Sequence, residues 1–233
     1  MQTSPQNTTV VILAAGHGKR MLPLTAHTPK PLLKIGELTL IEHHLLRLAE
    51  YGFRDIVINV AYLAEMIIDH LGNGSKYGLN IRYSDESASG ALETAGGLRN
   101  ALPLIKSDSL ITVNADIWTD FDFRLLLKDL PEFAKLVMYE NPSHNLKGDF
   151  VLNDDGFLTI PQANTVNRSL TYSGIAIYQR KIIAELDQGK AALGPIFRKL
   201  ISESKLQGQE FNGVWHDIGT PERLTELRNR YTQ

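Results

Sequence analysis

The segment LAAGHGKRMLPLTAHTPKPLL, Leu13 to Leu33, most limits what this chain can fold into. In it a glycine turn and a proline-studded basic stretch follow directly on the apolar run Val10 to Leu13. A strand that empties into such a turn is a frame for polyphosphate. Gly16 and Gly18 let backbone N–H groups approach phosphate oxygens closely. Lys19, Arg20 and Lys30 supply positive charge, and Pro23, Pro29 and Pro31 fix φ at three points. Two better-known phosphate loops fail on spacing. A Walker loop needs glycine five positions before its Gly-Lys pair and Ser or Thr after it, where Leu13 and Arg20 stand. The dinucleotide fingerprint needs glycine where Met21 stands. What then remains beside a phosphate loop is a plain glycine-rich strand-to-helix turn with scattered basic residues.

At 233 residues, 43% of them apolar, the chain can bury a substantial core as one large α/β unit. A net charge of −2 makes the basic loop a local feature and argues against a nucleic-acid-binding surface. The absence of cysteine removes disulfides, thiolate zinc sites and cysteine nucleophiles together. The early apolar run ends at Ala15, too short for a signal or membrane segment, so a cytoplasmic protein without membrane attachment is expected.

Short apolar runs alternate with helical patterns, which predicts an α/β fold with a wound, mixed but mostly parallel sheet. Strands are expected at Val10–Leu13, Ile56–Val60, Leu79–Tyr83 and Leu110–Asn114, and helices at Leu40–Tyr51, Leu63–Leu71 and about Thr94–Leu102. Beyond Ala134 the runs Leu136–Tyr139, Phe150–Leu152, Phe157–Ile160 and Leu170–Tyr178 are poorly spaced for parallel crossovers, so antiparallel pairing enters. Helices over Ile182–Leu186, Pro195–Ser204 and Glu222–Tyr231 complete the pattern. With no Pro/Gly/Ser-rich linker, a single domain over 1–233 is expected: a flexible tail at 1–9, a nucleotide-binding lobe at about 10–120, and a second lobe with a closing helix at about 121–233.

Two acids stand out. Asp116 follows a strand, the place in wound sheets where ligands bind, and Asp217 sits in the turn VWHDIGT. Together they suit Mg²⁺, which takes few protein ligands and fills its remaining positions with water and phosphate oxygens. The alternative is an Asx turn or helix cap at each. His43 and His44, adjacent on a helix, point about 100° apart and cannot chelate as an i,i+4 pair does. Trp118 reads as packing, and His216 is open between substrate contact and structural hydrogen bonding. Glu65, Asp69, Glu222 and Glu226 read as solvent faces of helices.

The full string G-x-G-x-R-M-x-P-x-T-x-x-x-P-K-P resembles the signature of the sugar-1-phosphate nucleotidyltransferases, the NDP-sugar pyrophosphorylases. The likeness runs on through ETAGGL at 93–98, VNADIWTDFDF at 113–123, NPSHNLKGDF at 141–150, YSGIAIY at 172–178 and VWHDIGTPERL at 214–224. It implies a Rossmann-like, GT-A-like nucleotidyltransferase fold with a smaller sugar-binding lobe. It also implies site roles. Leu13, Ala14 and Gly16 would pack on the nucleoside, with Glu93, Thr94 and Gly96 beside the base. Asn114 would meet the ribose or α-phosphate. Gly18, Lys19, Arg20 and Lys30 would hold the triphosphate, and Asp149, Tyr172, Ser173 and Gly174 would line the sugar-phosphate pocket. Arg20, Lys30, Asp116 and Asp217 would carry catalysis, the two acids holding the Mg²⁺.

Near 140–150 there is no clear counterpart to the Glu-Lys pair of many hexose-1-phosphate members. The downstream segments look most like members that join UTP to N-acetylmuramic acid 1-phosphate in peptidoglycan recycling. Kept beside this are GTP with mannose 1-phosphate, and a non-catalytic nucleotide-sugar-binding regulator, against which the intact cations and acids argue. A monomer or small homo-oligomer is expected, since no hexapeptide-repeat tail follows.

Overall fold

The computed structural model describes residues 3–162 and 168–231. Strand β1, Thr9–Leu13, lies at the centre, and all but its last residue are buried. Val10 and Ile12 join a core on one face of the sheet, while Val11 joins the core on the other. Burial on both faces is why this strand reads as an unbroken apolar run. The glycine and proline loop leads to the short hairpin β2, Lys34–Ile35, and β3, Leu38–Thr39, which enters helix α1, Leu40–Glu50, through a capping box between Thr39 and Glu42. Then come β4, Asp55–Val60, α2, Ala64–Leu71, β5, Asn80–Asp85, α3, Glu93–Ala101, and β6, Ser109–Asn114. β4, β1 and β6 are parallel neighbours with β5 outside β4, so the carboxyl ends of four strands open toward one edge.

The second half makes the sheet mixed. β7, Ile117–Thr119, leaves it, and β8, Ala134–Tyr139, β9, Phe150–Leu152, β10, Leu158–Thr159, and β11, Ser169–Gln179, follow. β11 pairs antiparallel with β6 on one side and with β8 and β9 on the other. Helices α4, Arg180–Ala184, and α5, Leu193–Ser202, precede β12, Leu206–Glu210, which pairs parallel with β8. β13, Trp215–Asp217, forms an antiparallel ribbon with β7, and α6, Pro221–Tyr231, closes the chain.

The fold class is the one expected, with three local corrections. Residues 3–9 are not a loose tail. Pro5–Asn7 form a 3₁₀ turn, Thr8 and Thr9 are buried, and the Thr9 hydroxyl donates to Asp55 at 2.7 Å. Met1 and Gln2 of that segment lie outside the described residues. β12 carries little apolar signal, because only Leu206 is buried in it. The β2–β3 hairpin likewise exists through its contacts, with α6 packed against β2.

Candidate active site

The carboxyl ends of β1 and β6 open into a cavity of about 390 Å³. Of the residues expected around a nucleotide, Leu13, Ala14, Gly16, Gly18, Lys19, Arg20, Lys30, Glu93, Thr94 and Asn114 line it, as does Asp116. The loop keeps its shape by internal bonds. Gly18 adopts a left-handed φ of +61°, its carbonyl accepts from Met21 N–H at 2.8 Å, and the Thr25 hydroxyl donates to the same oxygen at 2.9 Å. Met21 is fully buried among Leu33, Leu40, Ile218, Leu224 and Leu227, which pins the turn to α6. Lys19 and Arg20 stay exposed, free to meet an anion, whereas Lys30 is buried and its Nζ lies 2.6 Å from Asp116 Oδ2.

Asp116 and Asp217, distant in sequence, come together through the β7–β13 ribbon. Ile218 N–H donates to the Asp116 carbonyl at 2.9 Å, and Asp217 is the register partner of Ile117. His44, buried on α1, holds the same ribbon by donating from Nε2 to the Ile117 carbonyl at 2.8 Å. Burial depresses that imidazole to about 4. The Asp217 carboxylate does not line the cavity around Lys30. It faces a second one, between the 141–149 loop and α6, although Gly219 just beyond it borders the first. Asp217 Oδ2 is ion-paired with Arg223 and lies 3.2 Å from His144 Nε2.

Each acid is thus met by basic side chains at Oδ2. Both acids offer the oxygen donors that Mg²⁺ takes, but the Asp116 carboxylate opens on the first cavity and that of Asp217 on the second. They do not form a zinc cage, and among the described residues no group of three or more His, Cys, Asp and Glu side chains is placed to hold an ion.

Five expected site residues sit elsewhere than anticipated. Gly96 is buried against the 189–191 segment, donating to the Ala191 carbonyl at 3.0 Å, and a Cβ there would lie 2.2 Å from Gly189 O. The glycine admits another piece of backbone. The Tyr172 side chain turns into the core beside Phe197, and burial raises its hydroxyl to about 12. Ser173 is buried, with its hydroxyl accepting from Ile175 N–H at 3.3 Å and its carbonyl accepting from Trp215 Nε1 at 2.8 Å. Gly174, at φ +81° in a β-bulge, packs against the Asn114 side chain, where a Cβ would come within 2.6 Å. Asp149 has both oxygens engaged, accepting from Tyr172 N–H at 2.8 Å and Asn145 Nδ2 at 3.1 Å, so it shapes the 141–149 loop. The roles of the tyrosine and serine came with the resemblance, which carries residue identity but not the register shift between Tyr172 and Ala176.

Four residues escaped the sequence reading. His144 and Arg223 flank Asp217, and Asn59 and Glu86 line the first cavity while buried. Asn59 has a signal, a lone amide inside the apolar strand DIVINV. Glu86 has none that a surface loop would lack. Trp118 packs on Tyr231 with ring centroids 4.2 Å apart, and His216 borders the second cavity beside it.

Residues 9–147 match the family described as nucleotidyl transferase. The chain is 46% identical, over 94% of its length and 96% of that protein, to the N-acetylmuramate alpha-1-phosphate uridylyltransferase of Neisseria meningitidis. It is 30% identical to mannose-1-phosphate guanyltransferase 2 of Candida glabrata, over 96% of this chain and 64% of that one. Among solved structures, HddC from Yersinia pseudotuberculosis complexed with GMP-PN superposes with a TM-score of 0.81 at 21% identity. That match covers 96% of this chain and 99% of the other, a likeness of fold alone. By the match over residues 9–147 and the 46% identity over nearly the whole of both chains, the chain belongs to the nucleotidyl transferase family.

Proposed function

We propose that this enzyme transfers a uridylyl group from UTP to N-acetyl-α-muramic acid 1-phosphate, giving UDP-N-acetylmuramic acid and pyrophosphate. The observation that carries the reading is the 46% identity, over nearly the whole of both chains, to a relative named for that reaction. The chemistry asks for no activated nucleophile. A sugar 1-phosphate has a second pKa of about 6 and is close to dianionic at neutral pH, so its oxygen attacks the α-phosphorus directly. A bond from that oxygen to the α-phosphorus forms as the bond from the α-phosphorus to the departing pyrophosphate oxygen breaks, and that oxygen keeps the electron pair.

What obstructs the step is charge, an anion approaching a polyanion. Arg20, exposed on the glycine loop, neutralises the leaving pyrophosphate, and the loop N–H groups hold the triphosphate. Lys30, fixed by Asp116, lies near the phosphate being transferred or the one attacking it. Asp116 and Asp217 would be the residues to hold Mg²⁺, which would supply further neutralisation of phosphate charge. The sugar lies toward the second cavity and the 141–149 loop. A reaction drawing on UTP for peptidoglycan recycling belongs in the cytoplasm. Among the described residues no helix is long and apolar enough to cross a membrane.

Pyrophosphate release from a matrix of nucleoside triphosphates and sugar 1-phosphates tests the assignment, with the muramate and UTP pair expected to lead. The similarity to a mannose-1-phosphate guanyltransferase keeps GTP with mannose 1-phosphate as the second reading, and a higher kcat/KM for that pair would replace the first. Tight nucleotide-sugar binding with no turnover of any pair would make the protein a binding module.

A further inference from the structure

The first cavity carries a polar relay that the transfer chemistry does not use. Asn59, near the end of β4, is 3% exposed, and Glu86, just past β5, is 2% exposed. Asn59 Oδ1 accepts from Ala14 N–H at 2.7 Å, Asn59 Nδ2 donates to Glu86 Oε1 at 2.8 Å, and Glu86 Oε2 accepts from Leu92 N–H at 2.8 Å. Three hydrogen bonds therefore run from the end of β1 to the entrance of α3, across the two walls of the cavity. Gly97 makes room for them, since a Cβ there would lie 2.7 Å from Glu86 Oε1 and 2.8 Å from Asn59 Nδ2. Donor and acceptor chemistry fixes the arrangement. Ala14 N–H can only donate, so it takes the Asn59 carbonyl and leaves the amide NH₂ for Glu86. Leu92 N–H can only donate too, so residue 86 must accept at both oxygens, as an ionised carboxylate does and an amide does not.

We propose that Asn59 and Glu86 are a positioning pair that sets the gap between the glycine turn and the 91–94 segment, and hence the fit of the nucleoside. The proposal rests on the reading of this cavity as the nucleoside triphosphate site. The pair acts through its bonds to Ala14 and Leu92, whereas Lys30 is paired with Asp116. Disturbing it weakens nucleotide binding and leaves the transfer step largely intact.

The test is a transposition of charge. In Glu86→Gln the amide NH₂ meets either Asn59 Nδ2 or Leu92 N–H, a donor against a donor whichever way it turns. Asn59→Asp sets two carboxylates in contact. The double variant Asn59→Asp/Glu86→Gln rebuilds every bond: the new carboxylate at 59 accepts from Ala14 N–H and from the new amide at 86, whose carbonyl accepts from Leu92 N–H. Each single change is expected to raise the Kd of UTP with Mg²⁺, read by calorimetry without sugar phosphate, and the KM of UTP, by about 10- to 100-fold, with kcat moving only a few-fold. The double variant is expected to return both to within about 5-fold of wild type.

A folded double variant that binds UTP no better than the weaker single, or a fall in kcat with KM unmoved, overturns the proposal. Should a single change prevent folding, recovery of folded, UTP-binding protein in the double is the same rescue. A wild-type protein that binds no nucleoside triphosphate would instead overturn the reading of the cavity, and the role of the pair with it.

Discussion

The wall of the cleft built from β1, β4 and α3 is tied by buried and part-buried hydrogen bonds, whereas the 141–149 loop beside the second cavity is tied by part-buried and exposed ones. Asn59 and Glu86 are almost wholly buried, and so is Lys30 beneath the glycine turn. On the other side Asp149 and Asn145 hold the loop at its surface, and Leu146 at its tip is 76% exposed. Buried polar contacts are expensive to break, because the abandoned partner finds no water, while exposed ones exchange for water at little cost. On the proposed function, the fixed wall is the one that meets the triphosphate. The other can change its loop residues without disturbing the sheet, the arrangement expected where relatives differ in the sugar they accept.

The sharpest way to break this contrast is at the two acids. Asp116→Asn or Asp217→Asn should cost about 100- to 1000-fold in turnover without unfolding the protein, and a chelator should abolish wild-type activity. Pyrophosphate release with matched thermal unfolding curves checks both, and full activity in chelator would remove the metal from the scheme. Losing Arg20 or Lys30 to Gln or Met should cost a similar factor, and Lys19→Gln much less, because Lys19 is not expected to meet the leaving group. Equal losses at Lys19 and Arg20 would mean that the loop acts only through its general charge.

The buried imidazole that holds the β7–β13 ribbon should show itself in acid. Burial holds His44 at about 4 against an ordinary 6.5, so the unfolded chain takes up the proton first as pH falls. The corresponding stability is complete above about pH 6.5 and is lost as pH drops toward 4, by about 3 kcal/mol in all. Denaturant unfolding of wild type and His44→Leu across that window tests this, with the variant expected to lose that part of the slope. The smallest effect should come from the exposed loop. Asp149→Ala should raise the KM for the sugar phosphate by about 2- to 10-fold while leaving the KM for UTP unchanged. A change in the UTP value instead would mean that the two walls are coupled.

The same contrast decides what the sequence could disclose. β1, β4 and β6 are legible because burial on both faces leaves unbroken apolar runs, and Asp116 is legible because it follows such a run. The glycine turn is legible because its composition is its mechanism. β12 is not, since LQGQE becomes a strand only by pairing with β8. Tyr172 and Gly96 were assigned to the pocket because a motif carries residue identity but not the local register or the backbone packed behind it. Asn59 and Glu86 show the converse: their importance lies in each other, and nothing in the chain between them marks the partnership.

Met21 adds a consequence at a distance. The residue that anchors the glycine turn is sealed by Leu224 and Leu227 of α6, about two hundred positions away in the sequence. A cavity opened in α6, as by Leu224→Ala, is therefore felt at the turn, although no residue of the turn has changed.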